Sequence, residues 1–123
     1  MDGNGAPRNL VTKTGTANQY AMYSAPSTIS FSFTNGTTPG VFVFEFSNTQ
    51  SKVGKSTKTL TNIGSLPTAS LNGLFLGTRQ DLTAFMSGAI AEFMIVSASL
   101  ITSGQHNQIM DYLGSRYALT IGA

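Results

Sequence analysis

Glu45 and Glu92 are the only glutamates of this chain, and each stands alone in an apolar run, Val41-Phe-Val-Phe-Glu-Phe46 and Ala89-Ile-Ala-Glu-Phe-Met-Ile-Val96. Hydrolysis of a glycoside needs two carboxyl groups facing each other across a cleft, roughly 5–10 Å apart. No such pairing is expected from two isolated glutamates, and the chain reads as non-enzymatic. His106 is the only histidine and cysteine is absent, which removes a thiolate metal site, a disulfide framework and a cysteine nucleophile together. One imidazole plus carboxylates is poor ligation for zinc. His106 stands beside Asn107 near the start of a predicted helix, where it is expected to face solvent. Calcium is the one metal the residue types permit, because Asp, Asn and backbone carbonyls are hard oxygen ligands. Asp81 and the carbonyls near it are the candidates. No dense Asp/Asn loop supports them, so no cofactor is expected.

Lys52, Lys55 and Lys58 recur at every third position. A nucleic-acid reader would set such lysines beside stacking aromatics or further arginines, and none are near. On a strand an offset of three alternates faces, so these lysines read as solvated edge or loop charges that discourage sheet-to-sheet association. Glu92 reads differently, because a carboxylate inside an apolar strand is costly unless paired. It is expected to be buried and ion-paired with Arg79, at the end of the preceding predicted strand, or second with Arg116 on the helix. Such a pair would lock strand to helix.

The elements that must position these groups follow from periodicity. The chain has 123 residues, enough for one domain with a core, and only 10% of them are charged. Plentiful Ser, Thr, Asn and Gly, with Phe as the main aromatic and no Trp, is the composition of a β-rich domain. Residues 1–9 are Gly-, Asn- and Pro-rich without periodicity and read as a flexible N-terminal arm, with the domain over 10–123. Leu10 to Thr14 is a short edge strand. A second strand within Ala17 to Ala25 ends at Pro26, and the alternation of Tyr20, Met22 and Ser24 with Ala21 and Tyr23 does not choose its inward face. Ile29, Phe31 and Phe33 share one face of a strand, and Phe42, Phe44 and Phe46 share one face of the next; with Asn35-Gly36 between them they predict a hairpin whose large side chains face the core. The stretch from Ser47 to Ser70 is polar, with turns at Asn62-Ile63-Gly64 and Leu66-Pro67 before a strand at Leu74. Ala89 to Val96 predicts a central strand buried on both faces. Thr102 and Gln105 then form a capping box for a helix carrying Ile109, Met110 and Leu113 on one face. No segment approaches the ~20 apolar residues of a membrane span, and the N-terminus lacks signal-peptide character, so the chain is expected to be soluble as synthesised.

The order Gly88, Ile90, Ala91, Glu92, Leu100, Tyr112, Leu113, Tyr117 and Leu119, preceded by Leu74-Phe-Leu-Gly-Thr-Arg79, resembles the C-terminal end of the laminin-G-like, concanavalin A-like jelly-roll domains. The match runs from about Gly73 to Leu119. It implies an all-β fold, an antiparallel jelly-roll β-sandwich with one short C-terminal α-helix. The glycanases of that class carry Glu-x-Asp-x-x-Glu on one strand, a pattern missing here, which argues against a glycanase fragment. The resemblance also implies a lectin-like module contacting sugars through Tyr, Asn and Arg near sheet edges. Without Trp the platform would fall to Tyr20 or Tyr23, on opposite strand faces, with Arg79 and Asp81 as polar candidates. Family domains are commonly longer by several N-terminal strands. The chain is thus a compact version, the end of a longer polypeptide, or a sheet completed by neighbouring subunits.

Two settings follow. One is a virus-particle surface, a bacteriophage decoration or fibre module assembled in the host cytoplasm, with capsid or fibre subunits or further copies of itself as partners and surface glycans as ligands. The absence of cysteine, the low charge and the polar arm favour it. The other is an extracellular carbohydrate-binding domain of a larger secreted or cell-surface protein. Neither nucleic acid nor membrane is expected as a partner.

Overall fold

In the computed structural model, which describes residues 9–67, 88–97 and 99–123, the regular structure is two antiparallel three-stranded sheets and one helix. The first sheet contains β1 (Asn9–Lys13), β2 (Gln19–Ser24) and β3 (Ser27–Ser32), in the order β1-β2-β3. Its central strand settles the face that alternation left open. Met22 is completely buried, and its cross-strand neighbours Val11 and Ile29 pack with it into the core. Residues two apart on a strand share a face, so Tyr20 and the buried Ser24 also point inward. The β1–β2 turn closes with the Thr14 amide donating to the Gln19 carbonyl at 3.0 Å, with Asn18 in the left-handed region at φ 61°, which Asn tolerates. Asn9, assigned above to the arm, is the first residue of β1 and pairs with Ser24. The rest of the arm and the strand expected at Leu74 lie outside the described residues.

The second sheet contains β4 (Phe42–Glu45), β5 (Ser51–Lys55) and β6 (Thr61–Gly64), in the order β4-β5-β6. Lys52 and Lys55 are therefore not on a solvated edge or loop, whereas Lys58 lies beyond the strand. The first two belong to the central strand, whose Val53 is 4% exposed and stands opposite Phe44 on one side and Thr61 on the other. A single large apolar residue, flanked by Lys52 and Gly54, was too weak a signal for a strand. Asn62-Ile63-Gly64, expected as a turn, belongs to β6.

The predicted hairpin does not form. β3 pairs with β2 and β4 with β5, and residues 33–41 carry the chain from one sheet to the other. The alternation behind the prediction holds: Phe31 and Phe33 face Phe42 and Phe44 across the sheets, with ring centroids 5.6 Å apart for Phe33–Phe42 and 6.3 Å for Phe31–Phe44 and Phe33–Phe44. Alternation determines which face is apolar; it does not determine whether that face meets a hairpin neighbour or an opposing sheet. Ile29, Phe31, Phe33, Phe44, Phe46 and Ile63 pack around the buried Met22, Val53 and Leu66.

The predicted central strand at Ala89 to Val96 is also corrected. Among the described residues, 88–97 contains no strand, and Ile90, Phe93, Ile95 and Val96 are 45–56% exposed. An apolar run becomes a strand only when a ladder partner satisfies its backbone, and neither described sheet pairs with it.

The helix α1 (Ser103–Arg116) begins at the expected capping box: the Gln105 amide donates to Thr102 Oγ1 at 3.2 Å, and the Thr102 amide to Gln105 Oε1 at 2.9 Å. Met110 and Gly114 are its buried residues. Beyond it the chain doubles back, and Gly122 forms a parallel bridge with Thr57: the Gly122 amide donates to the Ser56 carbonyl at 2.8 Å and the Lys58 amide to the Gly122 carbonyl at 3.0 Å. Lys58 Nζ meets Asp111 Oδ1 at 2.7 Å. The tail and this ion pair moor the helix to the end of β5.

Candidate ligand-binding groove

β3 and β6 are edge strands of their sheets, and between them lies an open groove of about 310 Å³. That is at the low end of the ~300–1,000 Å³ usual for ligand sites. Its apolar floor is Phe31, Phe33, Val53 and Ile63, and its rim carries Ser32, Thr34, Thr57, Thr61 and Lys55. Cross-strand partners share a face, so Lys55 opposite Phe42, and Thr61 opposite Val53, look towards the first sheet.

The rim groups differ in how far the protein already uses them. Thr57 Oγ1 donates to the Ala123 carbonyl at 2.8 Å and accepts from the Thr59 amide at 3.2 Å. Among the described residues the Thr61 hydroxyl has no hydrogen-bond partner; Ser32 and Thr34 border the groove along the edge of the first sheet, with their side chains alternating to the face opposite Phe31 and Phe33. Lys55 Nζ donates to the Asn35 carbonyl and, at 2.7 Å, to Thr38 Oγ1, and lies 5.4 Å from the centroid of the Phe42 ring. Two backbone choices create that seat. Asn35 adopts φ 54° in the turn that follows β3. Gly40 leaves room for the lysine stem, since a Cβ there would stand 2.7 Å from Lys55 Cε. Lys52 approaches Glu45 at 3.9 Å and Lys58 pairs with Asp111, but no described carboxylate lies within ion-pair distance of Lys55.

Of the residues singled out above, Tyr20 lies beside this groove but is engaged in packing. Its ring stands 5.4–6.3 Å from those of Phe31, Phe33 and Phe42, and its hydroxyl donates to the Gly36 carbonyl. Burial pushes its phenol above the usual tyrosine range. Tyr23 is on the opposite face of β2 and half-buried. Arg79 and Asp81 lie outside the described residues, so the Arg79–Glu92 pair and the Asp81 calcium candidate do too. Among the described residues, no three His, Asp or Glu side chains converge as a metal site, and no helix is long and apolar enough to cross a membrane.

Glu92 is exposed rather than buried, and it is tied to the helix as proposed for the second partner. Arg116 Nε stands 3.3 Å from Glu92 Oε2, and the Tyr117 hydroxyl donates to the same oxygen at 2.9 Å. Arg116 also donates to the Tyr112 hydroxyl at 2.8 Å; its pKa is raised, first by the hydrogen bond to Tyr117 and less by the Glu92 carboxylate. Glu92 escaped the cost of burial because no second layer covers residues 88–97 among those described. A pair this exposed is screened by solvent and salt, so Glu92→Gln is expected to leave the thermal midpoint nearly unchanged. A melt of the variant at low and high salt checks this; a drop of many degrees would show that the carboxylate anchors the helix.

His106 departs from its expected place as well. It is half-buried and its Nε2 is shielded without a hydrogen-bond partner, because position 106 is one turn before the buried Met110 on the same helix face.

Sequence reasoning missed the groove residues Lys55, Thr61, Ser32 and Thr34. The signal for Lys55 was indirect: Asn35-Gly36 and Gly40 mark a loop that must approach something closely, and the lysine is what it approaches. Comparison with family models, curated proteins and solved structures finds no match to this chain.

Proposed function

We propose that this chain is a non-enzymatic, lectin-like surface module of a virus particle, of the bacteriophage decoration or fibre kind, and that its two sheets are layers of a concanavalin A-like jelly roll. The observation that carries the binding half is the groove. An aromatic and aliphatic floor suits the C–H face of a pyranose, and the unengaged Thr61 hydroxyl beside it can both donate to and accept from sugar hydroxyls. The particle setting rests on composition: no cysteine, few charges and a polar N-terminal arm.

A broad glycan array and native mass spectrometry of the isolated chain test the two halves separately. Binding to a defined group of saccharides, and a symmetric oligomer, are the expected results. Silence across the array removes the glycan role and leaves a scaffold. A strict monomer that also fails to bind purified capsid or fibre subunits removes the assembly role, and glycan binding by that monomer would instead favour a carbohydrate-binding domain of a larger extracellular protein.

A further inference from the structure

We propose that the groove selects carboxylate-bearing saccharides and that Lys55 reads the acid, an inference that rests on the lectin-like reading and narrows it to a ligand class. An ammonium has three N–H donors. Lys55, itself a lining residue of the groove, gives one to the Asn35 carbonyl and one to Thr38 Oγ1, which leaves one donor for a ligand. Those two acceptors and the Phe42 ring hold the cation in place before any ligand arrives. A long, rotamer-rich side chain that is already ordered loses less freedom on binding, so its charge is available at full effect.

Charge complementarity points to an acid. Lys52 and Lys58 have carboxylate neighbours in Glu45 and Asp111, whereas Lys55 meets only neutral oxygens and a ring among the described residues. The rest of the groove points to a sugar rather than an acidic peptide: Phe31 and Phe33 offer apolar surface for a ring, and Thr61, on the same face as Val53, brings a hydroxyl without a partner among the described residues. A saccharide with a ring carboxylate presents both features within one residue.

The test is calorimetric titration of the full chain with trigalacturonate and sialyllactose against their neutral counterparts, galactotriose and lactose. A charge-assisted bond predicts the acids to bind about 10-fold tighter or more, with the difference shrinking as salt is raised. Lys55→Met should abolish the difference, the acids losing more affinity than the neutral sugars. Gly40→Ala places a methyl 2.7 Å from Lys55 Cε and 2.9 Å from Ser56 Oγ and displaces the ammonium, so it should weaken the acids more than the neutral sugars, with a melting curve near the parent's showing that the fold is intact. Equal affinity for acidic and neutral sugars, unaltered in Lys55→Met, overturns acid selection and leaves the lectin reading standing. Equal binding of a triglutamate peptide overturns the saccharide class, since the groove would then read carboxylates alone. If the acids fail while the array shows binding to other sugars, this inference falls by itself; if the array is silent too, the lectin reading falls with it.

Discussion

Met22→Ala should destabilise the protein by about 2–5 kcal/mol, the usual range for truncating a fully buried large side chain. Met22 has no exposed surface and lies at the centre of the β1–β2–β3 row, between Val11 and Ile29, with Val53 and Leu66 of the second half of the core in the same cluster. The described core is thin: Met22, Val53, Leu66 and Met110 are its large buried residues, and most of the phenylalanines around it are only half-buried. With few side chains completely enclosed, the neighbours have little surplus with which to fill a void. Thermal and urea melts check the value, with a midpoint drop on the order of 10 °C expected for a chain of this size. Met22→Leu, which conserves volume, should cost less than about 1.5 kcal/mol. Equal losses for Ala and Leu would mean that shape rather than burial controls the site.

Gly114→Val is expected to have the second large effect, by a different route. A Cβ on Gly114 would stand 2.6 Å from Ile121 Cγ1 and 3.2 Å from the Leu119 carbonyl oxygen. Ile121 could rotate away, but the Leu119 carbonyl belongs to the chain reversal that brings the tail back, and the Leu119 amide donates to Gly114 itself at 2.9 Å. Overpacking of this kind costs typically about 1–3 kcal/mol. Its signature is local: the Gly122 and Lys58 amides, which bond across the bridge to β5, should lose hydrogen-exchange protection, while the Met22 region keeps it. Uniform loss across both sheets would show that the tail supports the whole fold.

Local chemistry carried most of what could be read from the sequence. The Thr102/Gln105 box and the spacing of Ile109, Met110 and Leu113 specify α1 because a helix satisfies its backbone within itself. The apolar faces of β3 and β4 were legible for a similar reason, since a period of two needs no knowledge of the partner. Partner choice was not legible. Nothing local in Phe31 or Phe44 says whether they face each other along a hairpin or across two sheets, and Ser51-Lys-Val-Gly-Lys55 becomes a central strand only because β4 and β6 flank it. The groove was hidden by the same limit. Thr34 is far in the chain from Lys55 and Thr61, all three are ordinary in type, and they border one groove only once β3 and β6 are brought together. Glu92 meets Arg116, the second of the two arginines expected for it, while Arg79 lies outside the described residues, and the burial expected for it is absent.

The return of the tail to β5 also orders events in time. Each sheet is a meander of sequence neighbours, and hairpins of this kind form in ~1–10 μs. Both can close while the chain is still being made. The contact between Thr57 and Ala123 spans 66 positions, and at about 5–20 residues per second that interval takes several seconds of translation. Through those seconds the backbone at Ser56 to Lys58 is without the partner it has in the finished protein, a short open edge beside neighbouring nascent chains. The latch thus arrives well after the strands of both described sheets, and its arrival withdraws that edge from other copies.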